Sequence, residues 1–298
     1  MKLWKMNNAS FKVDLSIIIL TWNSQEVIRD CLDSIYSPGG DLNFEIIVVD
    51  NNSRDRTKEI LKNSYPKVKL IANVKNLGYA KGNNQGIEKS KGEFILLLNP
   101  DVKLIDDFLT KITKFFKEHP EAGALGPQLL NPDKSIQPSC REFPRFSTIL
   151  WELLGLSHVF SRSKIFGRWR MGYFDHNSLA EVDQPMGSAL LIRRKTLEKV
   201  GIFDTNFKMF FNDVDLCYRI KKAGWKIYFY PEAKAFHIKG SSTQKAKTKM
   251  IFLSHWGFYK FLKKYKTGWV NEILLIFLGG LLLLSSGLRI LFFYLKNF

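Results

Sequence analysis

Cysteine is scarce in this chain. Cys31, Cys140 and Cys217 are the only three among 298 residues, an odd number at unrelated spacings. That excludes a disulfide framework and a zinc knuckle, and makes a reducing compartment the default expectation. Glycine is missing from the turn that follows the first apolar run, residues 15–20, so neither the dinucleotide-binding fingerprint nor a phosphate-cradling P-loop stands there. Gly82-Asn83-Asn84-Gln85-Gly86 also fails the dinucleotide spacing, which argues against an NAD-dependent dehydrogenase. Acidic residues are few, 28 against 45 Lys+Arg, for a formal net charge of +17. A hydrophobic content of 45% with 14% aromatics nevertheless excludes a disordered basic tail, because such a chain has enough apolar surface to offset its entropy. One domain, or one domain with an appendage, is the length expectation. The charge alone admits nucleic acid, an anionic membrane surface or a phosphorylated ligand.

The charge is not spread evenly. Between Ala233 and Asn271 stand nine lysines (234, 239, 245, 247, 249, 260, 263, 264 and 266) and no acidic residue, so this segment alone carries +9. Residues 273–288 follow as an apolar run broken only by Gly and Ser, then Arg289, then the apolar residues 290–295. Those 23 positions form a helix of roughly 34 Å, enough to cross a hydrocarbon core of about 30 Å. Arg289 stands near the far end, where its side chain could snorkel to headgroups. A single span is preferred over a buried core helix or a helix dipping into one leaflet. The lysines preceding it place the main domain at the cytoplasmic face. No signal peptide is expected, since residues 1–10 lack an apolar centre. Trp256, Phe258, Tyr259, Phe261 and Tyr265 suit either an interfacial belt or a surface helix packed on the domain.

Along the chain, residues 15–20 read as a strand buried on both faces, and Val27, Ile28, Cys31, Leu32 and Ile35 recur at helical spacing up to the stop Ser37-Pro38-Gly39-Gly40. Strands at 45–49, 68–71 and 94–98 alternate with helical patterns through residue 120, which predicts an α/β fold: a mostly parallel sheet with helices on both faces. Such sheets bind ligands at the carboxyl ends of their strands. Thr21-Trp22-Asn23, Asp50-Asn51 and Asn99-Pro100-Asp101 occupy three such ends. The stretch 126–183, with prolines 120, 127, 132, 138, 144 and 185 in and around it and Arg141, Arg145, Arg162, Arg168 and Arg170 among aromatics, reads as a loop-rich segment laid over the sheet. Residues 189–192 then read as a strand, 216–223 as a helix and 226–230 as a further strand. Asp213 and Asp215 enter an apolar setting just before that helix.

Six motifs occur in one order over roughly residues 14–240: LSIIILTWNS, IIVVDNNSRD, KNLGYAKGNNQGI, EFILLLNPD, MGSALLIRR and FFNDVDLCYRIKKAGWKIYFYPEAKAFH. Together they resemble glycosyltransferase family 2, inverting enzymes with the nucleotide-sugar-binding GT-A fold. The stretch from Leu130 to Pro144, which reads LNPDxxxQPSCRxFP, is similar to the bacterial rhamnosyltransferase-like branch. The resemblance implies an N-terminal extension (1–13) and a GT-A domain (14–240) made of a nucleotide-binding half (14–120) and an acceptor and catalytic half (121–240). A basic aromatic juxtamembrane segment (241–270) and a membrane helix (271–298) complete the chain.

The chemistry of sugar transfer needs a stabilised diphosphate leaving group, usually through a divalent cation held by carboxylate oxygens. It also needs a base beside the anomeric carbon. By resemblance, Asp101 of Asn99-Pro100-Asp101 matches the cation-binding carboxylate, with Asn99 supplying a neutral oxygen where the family has Asp. Asp213 matches the general base, with Asn212 in place of the family's Glu, and Asp215 reads as structural or supporting. His237 matches a position that adds a ligand to the cation, Mg²⁺ or Mn²⁺, or contacts the diphosphate. Nucleotide-sugar contacts fall on Thr21, Trp22, Asn23 and Asp50, the last accepting from the base's imide nitrogen, and on Gly78, Lys81 and Asn84. Arg141 is a candidate for the acceptor's phosphates.

The function this implies is transfer of a single sugar, rhamnose from its dTDP donor, to a lipid-linked polyprenyl-diphosphate saccharide at the cytoplasmic face of the membrane. A processive polysaccharide synthase would add a Gln-x-x-Arg-Trp motif after the base. The only Arg-Trp, Arg168-Trp169, precedes Asp213 and has Ile165 in the glutamine position, so one sugar per event is expected. Nucleic acid is not expected as a partner, since the lysines flank an apolar tail rather than base-stacking aromatics and glycines. A catalytically dead membrane scaffold is the remaining rival, kept open by Asn99 and Asn212.

Overall fold

The computed structural model describes residues 13–36, 42–207, 210–238 and 247–296. The expected N-terminal extension lies outside the described residues except for Val13. The helix stop at 37–40, Lys239 and Lys245, and the side chains of Lys247, Lys249 and Arg289 are also outside them.

Strand and helix alternate as the apolar patterning demands. The elements are β1 (Leu15–Thr21), α1 (Ile28–Tyr36), β2 (Phe44–Asp50), α2 (Thr57–Ser64), β3 (Lys69–Ala72), α3 (Tyr79–Lys89), β4 (Phe94–Leu98), β5 (Val102–Leu104) and α4 (Phe108–Glu118). They continue with β6 (Ala122–Leu130), β7 (Ile136–Gln137), β8 (Cys140–Arg141), α5 (Phe146–Leu153), α6 (Leu156–Val159), β9 (Ala180–Glu181), β10 (Gln184–Pro185), β11 (Ala189–Arg193), α7 (Arg194–Val200), α8 (Asn212–Lys222) and β12 (Lys226–His237). Two long helices, α9 (Lys247–Tyr265) and α10 (Trp269–Lys296), close the chain.

The main sheet runs β3-β2-β1-β4-β11-β6-β12-β5. The pairs β1–β2, β1–β4, β2–β3 and β6–β12 are parallel, while β11 is antiparallel to both β4 and β6. Successive side chains of a strand face opposite ways, so Leu15, Ile17 and Ile19 pack on α1, α2 and α4, whereas Ile18 joins the layer containing α3, α7 and α8. Gly82 and Gly86 let α3 approach β1 closely. A Cβ on Gly82 would stand 2.3 Å from Leu20 Cδ1, and one on Gly86 2.4 Å from Ile18 Cγ2. The glycines that fail as a dinucleotide fingerprint therefore serve helix-on-sheet packing.

The loop-rich reading of 126–183 is corrected at its start, because β6 runs on to Leu130 in the middle of the sheet. Gly126 and Pro127 look like breakers for local reasons that tertiary packing removes. A Cβ on Gly126 would sit 2.2 Å from Pro185 Cβ, so only glycine fits. Pro127 pairs with Tyr230 at the point where the β12 register shifts, which suits a residue with no N–H for the ladder.

Helices α9 and α10 fold back on each other across residues 266–268. Leu275, Leu278 and Leu282 bury one stripe of α10 against a cluster containing Phe261 and Leu262 of α9. Ile273, Ile276, Phe277, Leu283 and Leu284 remain exposed. The window Trp269–Leu288 has mean hydropathy 1.8 yet is only 22% buried, which overturns the core-helix alternative and leaves α10 able to anchor in a membrane. The aromatic residues of α9 are explained by packing on the domain along its C-terminal half, where Phe258, Tyr259, Phe261 and Tyr265 join that same cluster.

The lysine collar does not all face outward. Lys264 pairs with Asp204 at 2.7 Å and with the fully buried Asp215. Asp215 also accepts from Tyr265 Oη at 2.7 Å and Arg219 Nε at 2.9 Å, and Arg219 in turn holds the carbonyls of Val200, Gly201 and Ile202. Asp215 thus fastens α9 to α8, in line with its expected structural role. Asp215→Ala strands these donors, and removing one partner of a buried ion pair costs about 3 kcal/mol or more. Thermal unfolding of the full chain should show Tm lower by several degrees.

Candidate active site

The carboxyl ends of β1 and β2 meet in a cross-linked pair of loops. Thr21 and Asp50 are register partners, both fully buried, and Thr21 Oγ1 donates to Asp50 Oδ1 at 3.1 Å. Asp50 Oδ2 accepts from the Ser53 N–H at 2.9 Å. Asn23, in the left-handed region that Asn tolerates, donates its N–H to Ser53 Oγ and accepts from the Arg54 N–H. Ser24 and Gln25 donate to Thr57 Oγ1 and Asp55 Oδ2. Each loop therefore satisfies the other's backbone, and Trp22, 41% exposed, stands out from this rigid base.

Gly78 begins α3 with a positive φ, its carbonyl held by Asn51 Nδ2. Lys81 is exposed on the first turn. Asn84 is buried and its carboxamide makes a two-way clasp with the Phe203 peptide, donating at 2.9 Å and accepting at 3.0 Å. Asn84 thus docks the loop after α7 onto α3.

Asn99 and Asp101 follow β4, and the Asn99 N–H bonds the Ser188 carbonyl at the mouth of β11. Antiparallel pairing of β5 with β12 sets His237 opposite Val102, so His237 Nε2 comes within 3.6 Å of Asp101 Oδ1. On the other side of the ring, Nδ1 lies 2.7 Å from Gln137 Oε1, while Gln137 Nε2 donates to the His237 carbonyl and to Asn131 Oδ1. With the amide's N–H groups directed there, its oxygen takes an N–H from Nδ1, which turns the Nε2 lone pair toward the Asp101 carboxylate. Two acceptors facing across 3.6 Å are the donor set a hard or borderline cation takes up, with the second ring nitrogen oriented as in known metal-ligating histidines. No cluster of three or more His, Cys, Asp or Glu suited to a metal occurs among the described residues. Asp101 and His237 could hold a cation together with further ligands from a phosphorylated ligand or water.

Asp213 opens α8. Its Oδ2 accepts from the Gly187 N–H and Gln184 Nε2, each at 3.1 Å, and Oδ1 accepts from the Val214 N–H at 2.9 Å. Burial pushes the carboxyl above the usual carboxylate range, and the hydrogen bonds from Gly187, Val214 and Gln184 only partly offset this. A Cβ on Gly187 would lie 3.2 Å from Asp213 Oδ2 and from Tyr79 Oη, and Tyr79 Oη donates to the Gly187 carbonyl. Gly187 thus joins α3, β11 and α8 around Asp213. Just before α8, Phe211 adopts φ 69°, and its ring stacks on Trp169 while the face of α9 at Gly257 closes over it. The strained backbone is held by packing from Trp169 on one side and α9 on the other.

Arg141 reaches the same neighbourhood because β8 pairs with β10, setting it opposite Gln184. Its Nη1 donates to the carbonyls of Cys140 and Arg170. Burial and the Arg170 charge lower its pKa, and Asp213 is near enough to counter part of that.

The structure thus gathers Thr21, Trp22, Asn23 and Asp50 after β1 and β2, and Asn99 and Asp101 after the parallel β4 at the same edge of the sheet, with His237 facing Asp101 and with Asp213 and Arg141 beside β10 and β11. Tyr79, Gln137, Gln184 and Gly187 belong to the site without having been singled out in the sequence. Tyr79, Gln137 and Gly187 stand inside the quoted motifs, so the signal was present, but the roles depend on contacts between distant segments.

The family model for glycosyl transferase family 2 matches residues 16–219, and the chain belongs to that family. An N-acetylglucosaminyl-diphospho-decaprenol L-rhamnosyltransferase of Mycobacterium tuberculosis is 31% identical over 260 residues, spanning 82% of this chain and 83% of the relative. The rhamnosyltransferase WbbL of Escherichia coli is 26% identical over 231 residues, 74% of this chain and 82% of the other. Among solved structures, the mannosyltransferase PcManGT of Pyrobaculum calidifontis, in complex with GDP-Man and Mn²⁺, shares the fold. Its TM-score is 0.58 at 16% identity, over 94% of this chain and 74% of that one. The chain is therefore a rhamnosyltransferase-like glycosyltransferase with a GT-A fold.

Proposed function

We propose that this protein transfers a single L-rhamnosyl residue, with inversion, from dTDP-rhamnose to a saccharide linked through a diphosphate to a polyprenyl lipid, at the cytoplasmic face of a membrane. The observation that carries the reaction type is Asp213, a carboxylate of raised pKa clamped by Gly187, Gln184 and Val214. The donor sugar and the lipid-linked N-acetylglucosaminyl acceptor are supported by the likeness to the mycobacterial rhamnosyltransferase along most of both chains.

In this reading Asp213 removes the acceptor hydroxyl's proton as its oxygen attacks the anomeric carbon in line. A carboxylate with its pKa moved toward neutrality is a better proton acceptor than an ordinary surface Asp. Trp22 offers an aromatic face to the nucleobase, and Thr21, Asn23 and Asp50 shape the wall beside it. A direct bond from Asp50 to the base's imide exchanges for its bond to Ser53 or Thr21. Gly78 and Lys81 line the α3 side, where the exposed Lys81 ammonium can approach phosphate, while Asn84, its amide held by the Phe203 peptide, supports them from within rather than by direct contact. Asp101 and His237 would hold Mg²⁺ or Mn²⁺, with Asn99 adding a neutral oxygen nearby. When bound, the cation neutralises charge on the departing diphosphate. Arg141 contributes positive potential on the acceptor side of Asp213.

A panel of dTDP-rhamnose, UDP-glucose, UDP-N-acetylglucosamine and GDP-mannose, each with N-acetylglucosaminyl-diphospho-farnesol, tests this. Product is expected from dTDP-rhamnose at a rate at least about tenfold above any other donor, the discrimination expected when a site's polar groups are matched to one sugar's hydroxyls. Comparable rates from all donors, or product from a different one, overturn the donor assignment.

A further inference from the structure

A recess lies against α8, lined by residues none of which has been given a substrate contact above. It is a cavity of about 660 Å³ between the start of α5, the outer face of α8 and the end of α9. Phe261 and Tyr265 give it an apolar wall, and Arg145, Lys221 and Lys266 bring three cations to it. Lys221 is balanced by Asp183 at 3.1 Å and Glu181 at 3.2 Å. Arg145 and Lys266 have no carboxylate within 4.0 Å among the described residues, so the three cations exceed the two carboxylates on Lys221 by one positive charge.

The recess is linked through its lining residues to the elements that carry Asp213 on one side and to the start of the apolar helix on the other. Asp183 precedes Gln184, the residue that donates to Asp213. Lys221 stands eight residues beyond Asp213 on α8, about 12 Å along the helix. That is the reach of one hexose ring with its diphosphate. At the other end, Lys266 is followed within three residues by Trp269, 77% exposed, where α10 begins its apolar course.

We infer that this recess binds the diphosphate and first isoprenoid carbons of the lipid-linked acceptor, with Arg145 and Lys266 as the phosphate contacts. The assignment rests on the acceptor class proposed above and deepens it. A ligand that fills the recess and reaches the base must be a sugar at the Asp213 end, dianionic in the middle and hydrocarbon at the α10 end. A free phosphate has no use for the aromatic wall, and an ordinary phospholipid headgroup has no diphosphate-linked sugar to span the distance to Asp213. The diphosphate falls beyond Arg141, whose guanidinium already holds two carbonyls.

The full chain in detergent micelles, wild type and Arg145→Ala/Lys266→Ala, is assayed with two acceptors, N-acetylglucosaminyl-diphospho-farnesol and octyl N-acetylglucosaminide, which lacks the diphosphate. Thermal unfolding of both proteins checks that the double variant folds. The variant should raise KM for the diphosphate acceptor at least about tenfold, the loss expected for charge-assisted contacts to phosphate. KM for the donor and turnover on the octyl glycoside should stay as in wild type. An unchanged KM for the diphosphate acceptor, or an equal loss on both acceptors, overturns the assignment. So does inhibition of the wild type by added phosphatidylglycerol that the double variant escapes, since the recess would then be a headgroup site. Wild-type failure to glycosylate either acceptor from any donor overturns the proposed function and this assignment together. Wild-type transfer with an unaltered variant overturns the assignment alone.

Discussion

Asp213→Asn should lower turnover at least about a hundredfold, the low end of what a positioned general base contributes. The substitution keeps the shape of the side chain, and Asn retains one oxygen for the Gly187 or Val214 N–H, so nucleotide binding and the fold should be preserved. The amide cannot accept the acceptor's proton. The pH profile carries a second signature. Wild-type kcat/KM requires the ionised carboxylate, so it should fall as pH drops through the Asp213 pKa. Because burial raises that pKa, the acid limb should stand above the usual carboxylate range. Asp213→Asn should lose this limb along with the rate. Unchanged turnover would refute the base assignment, and so would an acid limb that persists in the variant.

Asp101→Ala is expected to cost about a hundredfold or more in kcat/KM, the scale of several kcal/mol that a divalent cation supplies to a departing diphosphate. The side chain is almost fully buried and its carboxylate faces His237, so the loss removes half of the protein's own donor set. Chelation of the wild type with EDTA should produce a comparable fall that added Mn²⁺ or Mg²⁺ reverses. Added cation should not restore Asp101→Ala. Wild-type activity that survives exhaustive chelation would contradict the role given to Asp101 and His237.

Much of the fold was legible because it rests on local patterns. Continuous β-branched runs gave the parallel strands, and the helical spacing of Val27 through Ile35 and of Phe108 through Phe116 gave the covering helices. The polar clusters after β1, β2 and β4 marked the ligand end of the sheet for the same reason: in parallel sheets that edge is where chain ends and loops converge. Strand β6 was not legible in the sequence, and its second half reads there as loop, since Gly126 and Pro127 carry local breaker signals that only Pro185 and the β12 irregularity explain.

The site divides along the same line. Asp101 and Asp213 stand in motifs that can be read one at a time. The groups that make them usable do not. Tyr79 meets Gly187 across 108 positions, and His237 meets Gln137 across 100. Lys264 reads as one member of a solvated basic collar, yet it closes an ion pair with Asp215 through contacts no spacing rule predicts. The opening excess of positive charge thus has at least two separate places, one fastening α9 to α8 and one lining the recess at the end of α9.

The most direct test of the central claim is the mass of the lipid product formed by the purified full chain from dTDP-rhamnose and N-acetylglucosaminyl-diphospho-farnesol. The account predicts an acceptor extended by a single deoxyhexose, with none formed by Asp213→Asn on the same timescale. An unmodified acceptor with the donor intact, or a ladder of several added sugars, would contradict it.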